Sequence, residues 1–204
     1  MQYPIPALDG GDIHTADIEV ERSRFIAWIC HAPRIAAFEA LQTKARQTYP
    51  DASHHCSAFI AGPPGEQTAI GFSDDGEPGG TAGRPMYQVL DGAGIGQIGC
   101  VVTRYFGGTK LGTGGLARAY SQAVLKALES LPVHDFVERR VRRLKVDFAG
   151  EAEARAWLGN RNIPVEAVGY DAQGVTLTVG WPVGDMDDLP ALQSRLKGQL
   201  SVLQ

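Results

Sequence analysis

Cysteine is scarce, with three residues (Cys30, Cys56 and Cys100) in a chain of 204. The number is odd, the positions are far apart and each lies among apolar neighbours, which argues against a disulfide framework. Free buried thiols in a reducing cytosol are the plain reading. Long hydrophobic runs are lacking too. No segment reaches the roughly 18 to 20 apolar residues of a membrane span, and residues 1–11 have neither a basic start nor an apolar core. A cytoplasmic protein without membrane contact is expected. Basic charge is also short, 19 Lys+Arg against 23 Asp+Glu giving a net charge of −4. Domains that coat nucleic acid by bulk electrostatics are usually strongly basic, so only a local basic site is left open. The halves differ little: residues 1–138 carry 10 basic and 15 acidic residues, and 139–204 carry 9 and 8.

What is present is an ordinary globular composition, 44% hydrophobic and 21% charged, long enough to bury a core without metal or disulfide. Glycine is unevenly spread. Sixteen of the 25 lie between Gly62 and Gly115. Glycine inside a helix or strand costs roughly 0.5–1 kcal/mol relative to alanine, so this enrichment points to tight turns or close backbone approach to a partner.

Residues 18–30 read as extended, with apolar parity switching near 22–24, where a bulge or a turn between two strands is expected. Pro33 suits a first helical turn, and Ile35, Phe38, Leu41 and Ala45 repeat at helical spacing until Pro50. Residues 56–61 and 67–72 read as a strand pair about the 62–65 turn, and a short helix follows Pro85. Residues 98–106 predict a central strand. Leu116, Tyr120, Ala123, Val124, Ala127 and Leu131 then mark a long amphipathic helix. A basic stretch at 139–143 accompanies a boundary, and domains of 1–136 and 137–204 are expected. Leu144, Val146 and Phe148 predict a strand, 152–158 a helix, 163–170 and 175–181 strands, and Asp188, Pro190, Leu192, Leu196 and Leu200 a final helix. The order β-α-β-β-α fits a ferredoxin-like unit with little chain left for a last strand.

Two runs stand out: DDGEPGGTAGRPM at 74–86 and VVTRYFGGTKLGTGGLARAY at 101–120. Together with Ala52-Ser53-His54-His55-Cys56 they resemble the signature of the IMPACT/YigZ family over about residues 25–123, although many members have asparagine where this chain has His55. The resemblance implies an α+β protein of two domains. The first is like the second domain of a small-subunit ribosomal protein and domain IV of elongation factor G; the second is ferredoxin-like, as in domain V of that factor. Eukaryotic relatives modulate translation under amino-acid starvation by binding a ribosome-associated activator of a kinase, an activity of relatives that carry another amino-terminal domain, which is not expected here.

The residues themselves point to an anion site at the turn from the central strand into the long helix. The first amides of a helix lack internal partners and carry partial positive charge. Gly107, Gly108, Gly112, Gly114 and Gly115 let a ligand approach, and Arg104, Lys110 and Arg118 lie before, within and after the turn, with Arg118 expected in the first helical turn. Arg84 adds a cation, and Tyr105 adds a ring of the kind RNA binders stack on. The turn is not a phosphate loop of the G-x-x-x-x-G-K-[ST] kind, since Leu111 follows Lys110, nor a dinucleotide fingerprint.

Asp74, Asp75 and Glu77 offer hard oxygen ligands, but their glycine and proline neighbours suggest a turn in which carboxylates accept from backbone amides. His54 and His55 point to opposite faces of a strand, so no zinc cluster forms with Cys56, and no catalytic residue, metal or cofactor is expected. The resulting expectation is a non-enzymatic, translation-associated protein binding RNA or ribosome. The alternatives are a nucleotide-dependent enzyme or switch holding a triphosphate with Mg²⁺ at the same turn, and a protein-interaction module. Nothing in the sequence sets an oligomeric state.

Overall fold

The computed structural model describes residues 2–184 and 188–203. The chain divides into two compact units, Tyr3–Phe136 and Val137–Gln204 with Met1–Gln2. The first contains β1 (Gln2–Pro6), β2 (His14–Val20), β3 (Ser23–His31), α1 (Ile35–Thr48), β4 (His54–Ile60), β5 (Ile70–Ser73), α2 (Gly83–Gly92), β6 (Ile98–Tyr105), α3 (Gly112–Glu129) and β7 (Val133–Val137). Five strands make an antiparallel sheet in the order β2-β3-β6-β4-β5, while β1 and β7 pair with each other. That small pair has no counterpart in the sequence reading.

The sheet is covered on both faces. Met86 and Leu90 of α2 and Leu116, Tyr120, Ala123, Val124 and Ala127 of α3 pack on one side with Phe25, Cys56, Cys100 and Val102. Phe38, Leu41 and Ala45 of α1 pack on the other with Val101. This two-sided cover is why β6 reads as a continuous apolar run: seven of its eight residues are buried. Ile35, expected on the buried stripe of α1, is 45% exposed, because the packed stripe begins one turn later at Phe38.

The parity switch near residue 22 is a tight turn. Glu21 and Arg22 have φ of 47° and 63°, the pair of left-handed residues that matches the twist of a two-residue hairpin. The chain leaving β6 crosses this turn at Gly107, where a Cβ would stand 2.1 Å from the Arg22 carbonyl carbon. Gly107 is therefore required by the protein's own backbone.

The second unit runs β8 (Arg139–Val146), α4 (Glu151–Asn160), β9 (Val165–Asp171), β10 (Gly174–Pro182), α5 (Leu189–Arg195) and β11 (Leu200–Leu203). Its antiparallel sheet has the order β11-β8-β10-β9. Three details differ from expectation. The basic cluster at 139–143 is strand, paired along its length with β10. Phe148 falls beyond β8 and is 56% exposed, so the buried alternation stops at Val146. The last helix ends at Arg195: Lys197 and Gly198 turn left-handed (φ 50° and 80°), and Gly198 N–H donates to the Gln193 carbonyl at 2.9 Å. That exit frees Leu200 to begin a strand, which completes β-α-β-β-α-β.

Gly107→Ala is expected to destabilise the chain by about 1–3 kcal/mol or more in urea unfolding, because the clash is with backbone. Gly79→Ala, with nothing within 4 Å of its added Cβ, is expected to stay within about 0.5 kcal/mol.

Candidate functional site

Sheet register brings three side chains into one row at the end of β3, β6 and β4. Phe25 pairs with Arg104, and Arg104 pairs with His54. Arg104 is 5% exposed, and a buried cation needs a partner. Glu77, from the loop before α2, supplies it. Arg104 Nη1 donates to Glu77 Oε1 at 2.7 Å, and the Tyr120 hydroxyl donates to the same oxygen at 2.8 Å. Arg104 Nη2 reaches Ser23 Oγ at 3.3 Å, and His54 Nε2 lies 3.7 Å from Glu77 Oε2. The guanidinium carbon stands 5.5 Å from the Phe25 ring centroid and 5.6 Å from that of Phe106. Arg104, expected to face a bound anion, is thus neutralised inside the fold.

The two aspartates are equally engaged. Asp74 accepts from the amides of Gly80 (2.8 Å), Ala82 (3.0 Å) and Gly83 (2.8 Å), capping α2 from eight and nine residues upstream. Burial alone would raise its carboxyl, but these amide bonds hold it below the ordinary range. Asp75 accepts from Arg46 at 2.6 Å and from the His55 amide at 2.7 Å, and these bonds likewise outweigh burial and lower it. Asp75 and Gly76 are both left-handed, φ 45° and 86°, so the acidic run is a tight turn. The Asp75 carbonyl also lies 2.8 Å from His54 Nδ1.

His54 and His55 do point apart. His55 is 6% exposed on the α1 side, with Nδ1 2.9 Å from Thr103 Oγ1 and Nε2 3.1 Å from the Tyr49 carbonyl. Burial, with the nearby Arg46 cation, holds its imidazole below the usual range. The Cys56 thiol donates to the Asp74 carbonyl at 3.0 Å, and burial pushes it up to about 12, so it is no nucleophile at neutral pH.

The mouth of α3 is a different environment. The helix starts at Gly112 rather than near Leu116, so Gly112, Gly114 and Gly115 lie within it. Leu111 precedes it without a side-chain capping bond, and the first turn has no acidic residue. Arg118 consequently sits in the second turn. Its Nη1 is 3.3 Å from where a Cβ on Gly114 would stand, so the side chain lies back toward the amino-terminal end, as helix geometry favours. Lys110 and Arg118 line a cleft of about 380 Å³ with Thr109, Leu111 and Gly115. Both are exposed, and neither has an ion-pair partner among the described residues. Glu21 is the one carboxylate on the cleft wall. Gly108, exposed with φ +87°, shapes the loop before it.

Not every expected residue gathers there. Tyr105 alternates to the α1 face, its hydroxyl donating to Asp51 at 2.8 Å and its ring 6.2 Å from that of Tyr49. Arg84 is exposed in the first turn of α2 and does not line the cleft. Conversely, Tyr120 and Ser23 belong to the buried cluster although sequence reasoning passed over them. Tyr120 was visible as the polar member of an apolar helical stripe, but its partner lies 43 residues away.

A family model described as the Impact N-terminal domain matches residues 21–128. The chain is 50% identical over 113 residues to the IMPACT family member YigZ of Escherichia coli and 45% identical over 130 residues to an IMPACT family member of Haemophilus influenzae. These matches take in 55% and 64% of this chain, and the chain spans only 55% and 63% of the lengths of those two relatives. A crystal structure of a hypothetical protein is similar at a TM-score of 0.67 and 36% identity, covering 99% of this chain and 96% of the other.

Arg104→Ala removes the guanidinium that offsets the buried Glu77 charge and is expected to lower the unfolding free energy by about 3–5 kcal/mol in chemical denaturation. Arg118→Ala is expected to change it by less than about 0.5 kcal/mol. His55 generates a pH dependence. With its folded pKa depressed, the unfolded chain binds a proton that the folded chain refuses as pH falls below about 6.5. Stability measured from about pH 7 down to about pH 5.5 is expected to fall, with a shallower slope in His55→Gln.

Proposed function

The chain belongs to the IMPACT family, and from that premise we propose that it is a non-enzymatic, translation-associated regulator that binds RNA or the ribosome at the mouth of α3. The observation that carries this reading is the pairing of an uncapped helix start with two unneutralised cations, Lys110 and Arg118, beside one cleft. Helix amides and flexible cations suit a phosphate backbone, and a local site of this kind is compatible with a net charge of −4. Arg84 extends the basic surface as a secondary contact. Arg104 and Tyr105 take no part, being held by Glu77 and Asp51.

In this reading the first unit is like the second domain of a small-subunit ribosomal protein and domain IV of elongation factor G. The second, with its β-α-β-β-α-β connectivity and order β11-β8-β10-β9, is ferredoxin-like, as in domain V of that factor. Cytoplasmic residence is part of the proposal; it is supported by three buried free thiols. Among the described residues no helix is long and apolar enough to cross a membrane. A magnesium-dependent nucleotide site at the same turn is disfavoured, because Asp74, Asp75 and Glu77 already accept bonds within the fold.

Fluorescence anisotropy with single-stranded RNA across a potassium chloride series tests the proposal. Affinity is expected to fall steeply with salt, and Lys110→Ala and Arg118→Ala should each reduce the log–log slope by about 1. Salt-insensitive or absent binding, together with failure to co-sediment with ribosomes, overturns it. A saturable response to ATP or GTP with Mg²⁺ would favour the nucleotide reading, and nuclease-resistant pull-downs an interaction module.

A further inference from the structure

A second cleft lies on the α1 side of the five-stranded sheet, enclosing about 340 Å³ between α1, the end of β3 and the segment before β2. Ile13, Cys30, Ala37 and Leu41 give it an apolar lining. Cys30 belongs to that surface chemically, since burial pushes its thiol up to about 11 and leaves it neutral. One wall is fixed from behind: His31 Nε2 lies 2.8 Å from Gln97 Oε1, and Gln97 Nε2 donates to the Tyr3 hydroxyl at 3.0 Å.

The rim is charged unequally. Arg34 and Lys44 both line the cleft and are exposed, and neither has an ion-pair partner among the described residues. Asp12 is the one carboxylate of the lining. Ala37, Leu41 and Lys44 follow one another at spacings of four and three on α1, and Arg34 stands at its N-cap with extended backbone. At 1.5 Å rise per residue the backbone positions of Arg34 and Lys44 are about 15 Å apart along the axis, with Ala37 and Leu41 between them. A cleft with an apolar lining and two cations free of ion pairs among the described residues matches an amphipathic anion. Allowing roughly 30 Å³ for each water-sized group, the space holds about ten heavy atoms, within the range of small-molecule pockets.

We propose that this cleft binds a small fatty carboxylic acid, an unbranched chain of about eight to ten carbons. Its tail lies along Ala37 and Leu41, and its carboxylate is taken by Arg34, whose planar fork pairs both oxygens. Lys44 closes the far end with its aliphatic stem. The site uses no residue of the α3 mouth and stands independently of RNA binding.

Calorimetric titration of the full chain with sodium octanoate and with octan-1-ol tests this. Octanoate is expected to bind saturably, about tenfold more tightly than the alcohol, and Arg34→Gln is expected to reduce it to the level of the alcohol. Ala40→Trp, which fills the trough from an exposed helix position, is expected to abolish binding of both. Thermal unfolding of each variant checks that the fold is retained. Octanoate binding that is absent at millimolar concentration, no tighter than octan-1-ol, unchanged in Arg34→Gln or surviving Ala40→Trp overturns the proposal.

Discussion

A charged side chain buried in a protein interior has to be paired, and in the first unit one such pair organises four segments. The Arg104 guanidinium sits on the central strand, so its partner must come to it. Glu77 does so from the loop before α2, Tyr120 adds a donor from α3, and Ser23 joins from the start of β3. That loop holds its shape because Asp74 and Asp75 accept the amides and the arginine that would otherwise leave it unrestrained. The acidic run and the glycine-rich run therefore meet at a scaffold, which explains why one fold needs both.

The glycines follow the same logic. Where the chain crosses itself there is no room for a side chain: Gly107 passes over the β2–β3 turn, and a Cβ on Gly83 would stand 2.6 Å from the Ser73 amide nitrogen. At these two positions backbone packs on backbone, whereas Gly65, Gly76, Gly80, Gly94, Gly108 and Gly112 supply left-handed turns. Two clefts lie beyond those crossings: one at the uncapped start of α3 with Lys110 and Arg118, and one beside α1 on the opposite face of the sheet.

Much of the fold was legible because its signals are local. Helical spacing in α1 and α3, the apolar run of β6 and the parity switch at Glu21–Arg22 each depend on residues a few positions apart. The turn-forming role of Asp74 was legible for the same reason, since short polar side chains in a glycine and proline cluster accept from nearby amides. The small β1–β7 pair was not, because each strand is too short to show a period and its partner is over a hundred residues away. Nor was β11: the helical spacing of Leu192 and Leu196 runs on numerically to Leu200, and only the left-handed exit at Lys197 and Gly198 breaks it.

The amino-acid sequence by itself determined the two-part α+β organisation, the family, the thiols kept from disulfides and the gathering of glycine and charge between Asp74 and Arg118. Tertiary structure alone decided which of those charges face solvent. Arg104 and Arg118 are the same residue type fourteen positions apart, yet one is sealed against Glu77 and the other is exposed. The difference is made by strand register and by a loop arriving from 27 residues upstream. Such long-range pairing leaves no periodic trace in the chain, because the free energy that fixes it exists only once both segments have been withdrawn from water.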